Sequence, residues 1–157
     1  MRMHNIDIRI ARIFNTYGPR ILLSDGRLIS NLLVQSLHGE DLTIYGSGNQ
    51  TRSFCFIDDL IDGLILFMNS SNLGPMNLGN PEELSILQVA NLIRNSSIKK
   101  LNLKFSKALE DDPLRRKPSI DLARRELNWE PKIMFNEGLK ITREYFQNKL
   151  DLEKIDN

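Results

Sequence analysis

The sequence predicts an α/β protein organised on a parallel sheet, and two observations predict it. Strand-patterned stretches alternate with stretches at helical spacing along the whole of the 157 residues. The stretch IDIRIARIFNTYGPR, Ile6 to Arg20, reads as a strand running straight into a polar glycine-proline turn. Turns of that kind, at the C-terminal edge of a parallel sheet, are where α/β enzymes bind ligands. Only Ile6–Phe14 suits the centre of a sheet, however, whereas a doubly wound domain normally holds several such strands. The chain therefore reads as part of one.

Each element has its own signal. Ile6, Ile8 and Ile10 alternate and Ile13 and Phe14 adjoin, which predicts a strand with at least one buried face. Gly18-Pro19 ends it, because proline cannot continue a ladder. LLSDGR forms a loop. Leu28, Ile29, Leu32, Leu33 and Leu37 recur at helical spacing, and Gly39 stops that helix. LTIYG is a short strand, GSGNQ a turn and RSFCFI a further strand. Asp58 is expected to cap the helix in DDLIDGLILFMN. NLGPMNLGN holds a short strand between glycine turns, and Ser85 with Gln88 forms a capping box at the head of SILQVANLIRN. LNLKF is a strand and DDPLRRKPS a polar loop. Asp121 is expected to cap a short helix ending near Trp129, where Pro131 blocks continuation. Asn136 opens a last helix whose apolar members are Leu139, Ile141, Tyr145 and Phe146. The expected organisation is one unit over residues 1–150, with a charged, fraying tail over 151–157.

Composition narrows the function. A hydrophobic fraction of 41% and a charged fraction of 26% belong to an ordinary globular protein. The net charge of +1 gives no field to attract nucleic acid or an anionic membrane. The single cysteine, Cys55, excludes an internal disulfide, suits a reducing compartment and sits in an apolar strand as a core residue. The N-terminus lacks the apolar stretch of a signal peptide. The most apolar run, LIDGLILFM, is interrupted by Asp62 and Gly63 and is too short to span a bilayer. The expectation is a soluble cytoplasmic protein. His4 and His38 are isolated, so no metal site is expected. No GxSxG and no Walker loop occurs, and GSGNQTR lacks the third glycine and the following helix of a dinucleotide fingerprint.

Four polar segments offer groups suited to a phosphorylated ligand. Asn15 and Thr16 follow a strand end and supply donors and acceptors, although turn residues of this kind also simply cap the backbone. Arg27 precedes a helix, where a solvated arginine is the bland reading. LTIYGSGNQTR ends in Arg52, whose guanidinium fork could clamp a diphosphate or pair with a carboxylate such as Asp58 in an ordinary hairpin. DDPLRRKP clusters Arg115, Arg116 and Lys117, with Asp111 and Asp112 close enough in sequence to neutralise them.

These segments together carry a resemblance. RIARIFNTYGPR, DGRLISN, LTIYGSGNQTRSFCFIDDLIDGL, MNLGNPEE, DDPLRRKPSIDLAR and LNWEP are similar to motifs of the extended short-chain dehydrogenase/reductases that act on nucleotide sugars. NTYGP, TRSF with its following Asp-Asp, and LNWEP are common to the wider group. NLGNPEE and DDPLRRKP are more particular to its UDP-glucuronate decarboxylases. From Ile6 to about Phe146 the chain resembles the C-terminal half of such proteins: the last strands of an NAD(P)-binding Rossmann-like sheet with the small substrate-binding subdomain.

The resemblance implies an NAD-dependent decarboxylation of UDP-glucuronate to UDP-xylose. In that reaction C4 is oxidised, the 4-keto acid loses CO2 and the hydride returns. It implies Asn15 beside the sugar or diphosphate, Thr16 near the nicotinamide end of NAD, and Arg27 reaching the cofactor or the diphosphate. It implies a backbone around Thr43–Tyr45 that holds the uracil, with Arg52 and Arg116 on the diphosphate. Leu22 departs from the family, which often has a polar residue or histidine there. The glycine-rich NAD turn and the Tyr-x-x-x-Lys pair would precede Ile6. Tyr145 and Lys149 match that spacing but lie in the last helix, far from the family's position. No catalytic residue and no metal ligand is therefore expected in this chain, which alone should be inactive. A chain bearing the first half would be its partner, with self-association as a further expectation. Related alternatives are a nucleotide-sugar 4-epimerase or 4,6-dehydratase, or a non-catalytic UDP-sugar-binding fragment.

Overall fold

The computed structural model describes residues 6–108, 110 and 113–155. The alternation in the sequence becomes β1 (Ala11–Ile13), β2 (Thr16–Tyr17), α1 (Leu28–His38), β3 (Leu42–Tyr45), β4 (Thr51–Arg52), β5 (Cys55–Phe56) and α2 (Ile57–Asn69). The chain continues through β6 (Met76–Leu78), β7 (Leu84–Ser85), α3 (Ile86–Asn95), β8 (Leu103–Ser106), β9 (Arg115–Arg116), α4 (Asp121–Leu127) and α5 (Phe135–Ile155).

The pairings are predominantly parallel. β1 runs alongside β6, β2 alongside β5 and β3 alongside β8. β4 lies between β7, to which it is antiparallel, and β9, to which it is parallel. The expected single strand RSFCFI is thus two, because β4 and β5 turn to different partners. The GSGNQ turn does not close a hairpin either, since β3 and β4 do not pair. The loop expected over DDPLRRKPS contains β9. The side chains of Asp111 and Asp112, expected to neutralise its arginines, lie outside the described residues, as does His4.

Two apolar clusters hold these pieces together. One joins Leu32 and Leu33 of α1, Ile44 of β3, Val89 and Ile93 of α3 and Phe146 of α5. The other joins Cys55, Leu60, Phe67, Met76, Leu78 and Trp129. Cys55 is core, as expected, and burial pushes its thiol up to about 12. On α5 the buried face is Phe135, Leu139, Thr142 and Phe146, the i, i+4, i+7, i+11 stripe of a helix, and Ile141 falls off it at 36% exposure. The helix continues through the expected tail as far as Ile155.

The end signals divide. Gly39 closes α1 in the left-handed conformation, and Ser85 with Gln88 makes both bonds of the capping box on α3. Asp58 does not cap α2: the helix begins one residue earlier, at Ile57, and its N-cap is Phe56. Asp121 is likewise the first residue inside α4, and the position before it is Ile120. An aspartate inside the first turn still meets the positive end of the helix favourably.

The strand expected over Ile6–Phe14 differs most. Only Ala11–Ile13 is strand, and Ile6, Ile8, Ile10 and Ile13 are 58%, 48%, 55% and 55% exposed. β1 pairs with β6 on one edge, and among the described residues nothing pairs with the other. Ile13 and Ile61 of α2 line one open groove.

Candidate functional site

At the ends of β2, β3 and β4 the chain turns away from its sheets, and α1 packs across the gap. A cavity of about 320 Å³ results. Six of the seven residues singled out from the sequence line it: Asn15, Thr16, Arg27, Thr43, Tyr45 and Arg52. Arg116 does not, but it is the register partner of Arg52 across β4 and β9.

Each side chain has a local reason for its place. The Asn15 carbonyl accepts from the Cys55 N–H at 2.9 Å, which fixes the strand end beside β5. The Thr16 hydroxyl donates to the Phe14 carbonyl at 2.9 Å, so its lone pairs, not its proton, are available to a ligand. Gly18 follows with φ 146°, and an added Cβ would stand 2.4 Å from Cγ2 of Ile57, so only glycine lets this turn lie against α2. Arg27 precedes α1 and donates to both Asp25 oxygens, at 2.7 and 3.0 Å. Asn15, Thr16 and Arg27 also line the open groove of about 590 Å³ shared with Ile13 and Ile61. They form the wall between the two spaces.

Arg52 is 8% exposed and donates to the Thr51 carbonyl at 2.7 Å. The expected basic cluster resolves unevenly around Glu83. That carboxylate accepts from Arg115 at 2.7 and 2.5 Å, from Thr51 at 2.9 Å, and lies 3.5 Å from Lys117. Those hydrogen bonds, Arg115 first, hold Glu83 down to about 2. Among the described residues Arg116 has no ion-pair partner.

The cavity side of β3 is dressed by two glutamines that sequence reasoning passed over. Gln35 accepts from the Thr43 N–H and donates to the Thr43 hydroxyl, both at 3.0 Å, and Gln50 donates to the Tyr45 carbonyl at 2.8 Å. Polarity within an otherwise leucine-rich helix was the available signal for Gln35. For Glu83 it was the acid in NLGNPEE, which needed a long-range partner to become readable. Tyr17 also lines the cavity, but its phenol donates to the Phe135 carbonyl at 3.1 Å, and burial raises its pKa. Its proton is committed to that carbonyl. Tyr145 and Lys149 are away from the cavity, on α5. Among the described residues no group of three His, Cys, Asp or Glu could hold a metal ion, and no helix is long and apolar enough to cross a membrane.

A strand-end cavity beside two arginines in register has the chemistry to suit a phosphorylated ligand. Residues 1–79, half of the chain, match the NAD dependent epimerase/dehydratase family. The chain belongs to that family. Within it, the chain is 47% identical over 151 residues to UDP-glucuronic acid decarboxylase 1 of Xenopus tropicalis, covering 96% of this chain and 36% of that protein. It is 44% identical over 153 residues to UDP-glucuronic acid decarboxylase 3 of Arabidopsis thaliana, covering 98% of this chain and 45% of that one. The structure superposes on UDP-glucose 4-epimerase of Thermotoga maritima, solved with UDP-glucose, with a TM-score of 0.90 at 25% identity, covering 95% of this chain and 48% of that chain. On UDP-glucuronic acid 4-epimerase of Bacillus cereus, solved with UDP-glucuronic acid and NAD, the TM-score is 0.86 at 30% identity, over 94% and 48% of the two chains. The α/β fold is therefore about half of a Rossmann-like epimerase/dehydratase fold, and the chain spans between a third and a half of the relatives it matches.

Proposed function

We propose that this chain supplies the UDP-sugar-holding half of an NAD-dependent UDP-glucuronate decarboxylase. The observation that carries the reading is the cavity that gathers Asn15, Thr16, Arg27, Thr43, Tyr45 and Arg52, with Arg116 in register beside it. The identity of 44–47% to UDP-glucuronic acid decarboxylases supports this reaction over that of the epimerase neighbours, at 25–30%.

In this reading Arg52 and Arg116 neutralise the diphosphate, where forked guanidinium donors meet paired oxygens. The Thr43–Tyr45 edge takes the uracil. The Asn15 carboxamide faces the sugar or diphosphate at the cavity wall with both a donor and an acceptor. The groove along Thr16, Gly18 and Arg27 fits one end of NAD, with the Thr16 hydroxyl oxygen and the Arg27 guanidinium bordering it. Hydride exchange at the sugar C4 is the chemistry a bound NAD supplies. Residues 1–150 act as the substrate-binding part of the domain. The polypeptide that completes it corresponds to the portion of the relatives this chain does not span, and no catalytic residue is assigned here.

Titration of the chain with UDP tests the reading directly, with thermal stabilisation as the second readout. Heat release and a raised melting temperature are expected, and their absence at high UDP would overturn it. Mixing with the complementary half of a relative should then give CO2 from UDP-glucuronate with NAD. Turnover of a neutral hexose nucleotide instead would transfer the reading to a 4-epimerase. Turnover by the chain alone would refute the division of labour.

A further inference from the structure

Along β3 the backbone groups of Leu42 and Gly46 turn toward β8, where their N–H groups donate to the carbonyls of Asn102 and Ser106, each at 2.9 Å. Alternation along a strand therefore turns the N–H and C=O of Thr43 and Tyr45 to the opposite edge, which bounds the cavity. That edge carries four groups, two donors and two acceptors. Gln35 takes the Thr43 N–H and Gln50 takes the Tyr45 carbonyl. The orientation of the Gln35 amide is dictated, because a backbone N–H can only donate and must face Oε1. What remains is one acceptor, the Thr43 carbonyl, and one donor, the Tyr45 N–H. Among the described residues neither has a partner.

We propose that Gln35 is a positioning residue that makes this edge selective for uracil over cytosine, by withdrawing the Thr43 N–H from the base. The inference rests on the UDP-sugar reading above. In a uracil nucleotide the ring has one donor, N3–H, flanked by two carbonyl oxygens. N3–H must therefore meet the Thr43 carbonyl, and a neighbouring carbonyl oxygen meets the Tyr45 N–H. A cytosine in the same register turns the lone pair of N3 on the Thr43 carbonyl. Sliding by one atom would relieve that, but a diphosphate anchored on Arg52 and Arg116 resists the slide. Without Gln35 the Thr43 N–H is free beside the same position and can donate to the cytosine N3. Gln35 thus builds specificity by removing the donor the wrong base needs. It touches Thr43, not the nucleotide.

The test is calorimetric titration of the full chain and its variants with UDP and with CDP. The unchanged chain should prefer UDP by about tenfold or more. Gln35→Leu, close in volume but unable to accept, should bring the ratio to within about threefold. Gln35→Glu keeps an acceptor for the Thr43 N–H and should retain the preference, which a purely packing role would not predict. A folded Gln35→Leu that keeps the original ratio overturns the proposal, as does an unchanged chain that binds UDP and CDP equally. A chain that binds neither nucleotide removes the UDP-sugar reading itself, and this inference with it. Should Gln35→Leu fail to fold, amide hydrogen exchange on the unchanged chain decides. The Thr43 amide must be protected with or without UDP, and the Tyr45 amide only with it. Protection of Thr43 that appears only when UDP is added overturns the proposal.

Discussion

Glu83 grips Arg115 through both carboxylate oxygens, at 2.7 and 2.5 Å, and the neighbouring Arg116 is left out of that embrace. One acid therefore sorts three adjacent cations: it engages Arg115 and lies within 3.5 Å of Lys117, while it leaves Arg116 as the register partner of Arg52. It also ties β9 to β4, because Thr51 donates to the same carboxylate. The pH dependence follows in sign. Glu83 is lowered from the ordinary 4.5 to about 2, so its stabilising contribution is complete above 4.5 and is lost as pH falls through about 2. Thermal melts of the chain and of Glu83→Gln should therefore differ at neutral pH, with the variant lower. The two curves should converge between pH 4.5 and 2, and parallel curves over that window would remove Glu83 from this role.

The same sorting predicts an unequal arginine scan. Arg52→Ala should weaken UDP binding by about 10- to 100-fold, the value of charged hydrogen bonds made in a shielded place. Arg116→Ala should cost less, about 3- to 10-fold, because it is exposed. Arg115→Ala should leave UDP affinity almost unchanged and lower the melting temperature instead. Titration calorimetry with scanning calorimetry on the three variants separates binding from stability. An Arg115 effect on affinity equal to that of Arg52 would contradict the assignment.

How much of this was readable beforehand follows from the range of the forces involved. Gly39, the Ser85–Gln88 box and the leucines of α1 are local devices, and the chain spells them out within a few residues. The six cavity residues were also legible, but through motif resemblance, since Asn15 alone reads first as a backbone cap and Arg52 alone reads as well as a carboxylate partner. What stayed hidden depends on partners far along the chain. β9 exists because β4 lies beside it, and Arg115–Arg116 alone looks like any polar loop. Gln35 acquires meaning only when the Thr43 N–H arrives opposite it. The over-reading of Ile6–Phe14 has the converse cause: alternating isoleucines describe faces able to be buried, while burial itself requires a neighbour, and among the described residues only β6 pairs with β1.

Asp59 links two motifs that are distant in sequence. Its carboxylate accepts from the N–H groups of Lys132 and Ile133 at 3.0 and 2.9 Å, and its carbonyl accepts from the Trp129 indole at 3.0 Å. The second aspartate of FIDD thus holds the turn after LNWEP, which leads into α5, where Phe135 packs against Tyr17 of the cavity wall. Asp59→Ala leaves two shielded N–H groups without an acceptor and should destabilise by about 2–4 kcal/mol in urea unfolding. Asp59→Asn keeps one acceptor oxygen and should lose about half of that. Equal stability of Asp59→Ala and the unchanged chain would show that the turn is held by packing alone.

The open edge of β1 gives the last prediction. Ile8, Ile10 and Ile13 are about half exposed, the outer edge of the strand is unpaired among the described residues, and Ile61 and Ile65 of α2 are 45% and 51% exposed. An unprotected strand edge flanked by apolar side chains is a template for another strand, and at high concentration the available strand is β1 of a second copy. Light scattering should show a mass that rises with concentration. The doubly charged variant Ile8→Lys with Ile10→Lys should stay monomeric, while its unfolding free energy changes by no more than about 1 kcal/mol, since exposed positions carry little of the core. The charges act on the association alone, because lysines directly opposed on paired edges repel. A complementary half that covers β1 should suppress association in the same way, so adding it to the unchanged chain must lower the scattering mass per chain. A monomer at all concentrations would show that this edge does not drive association.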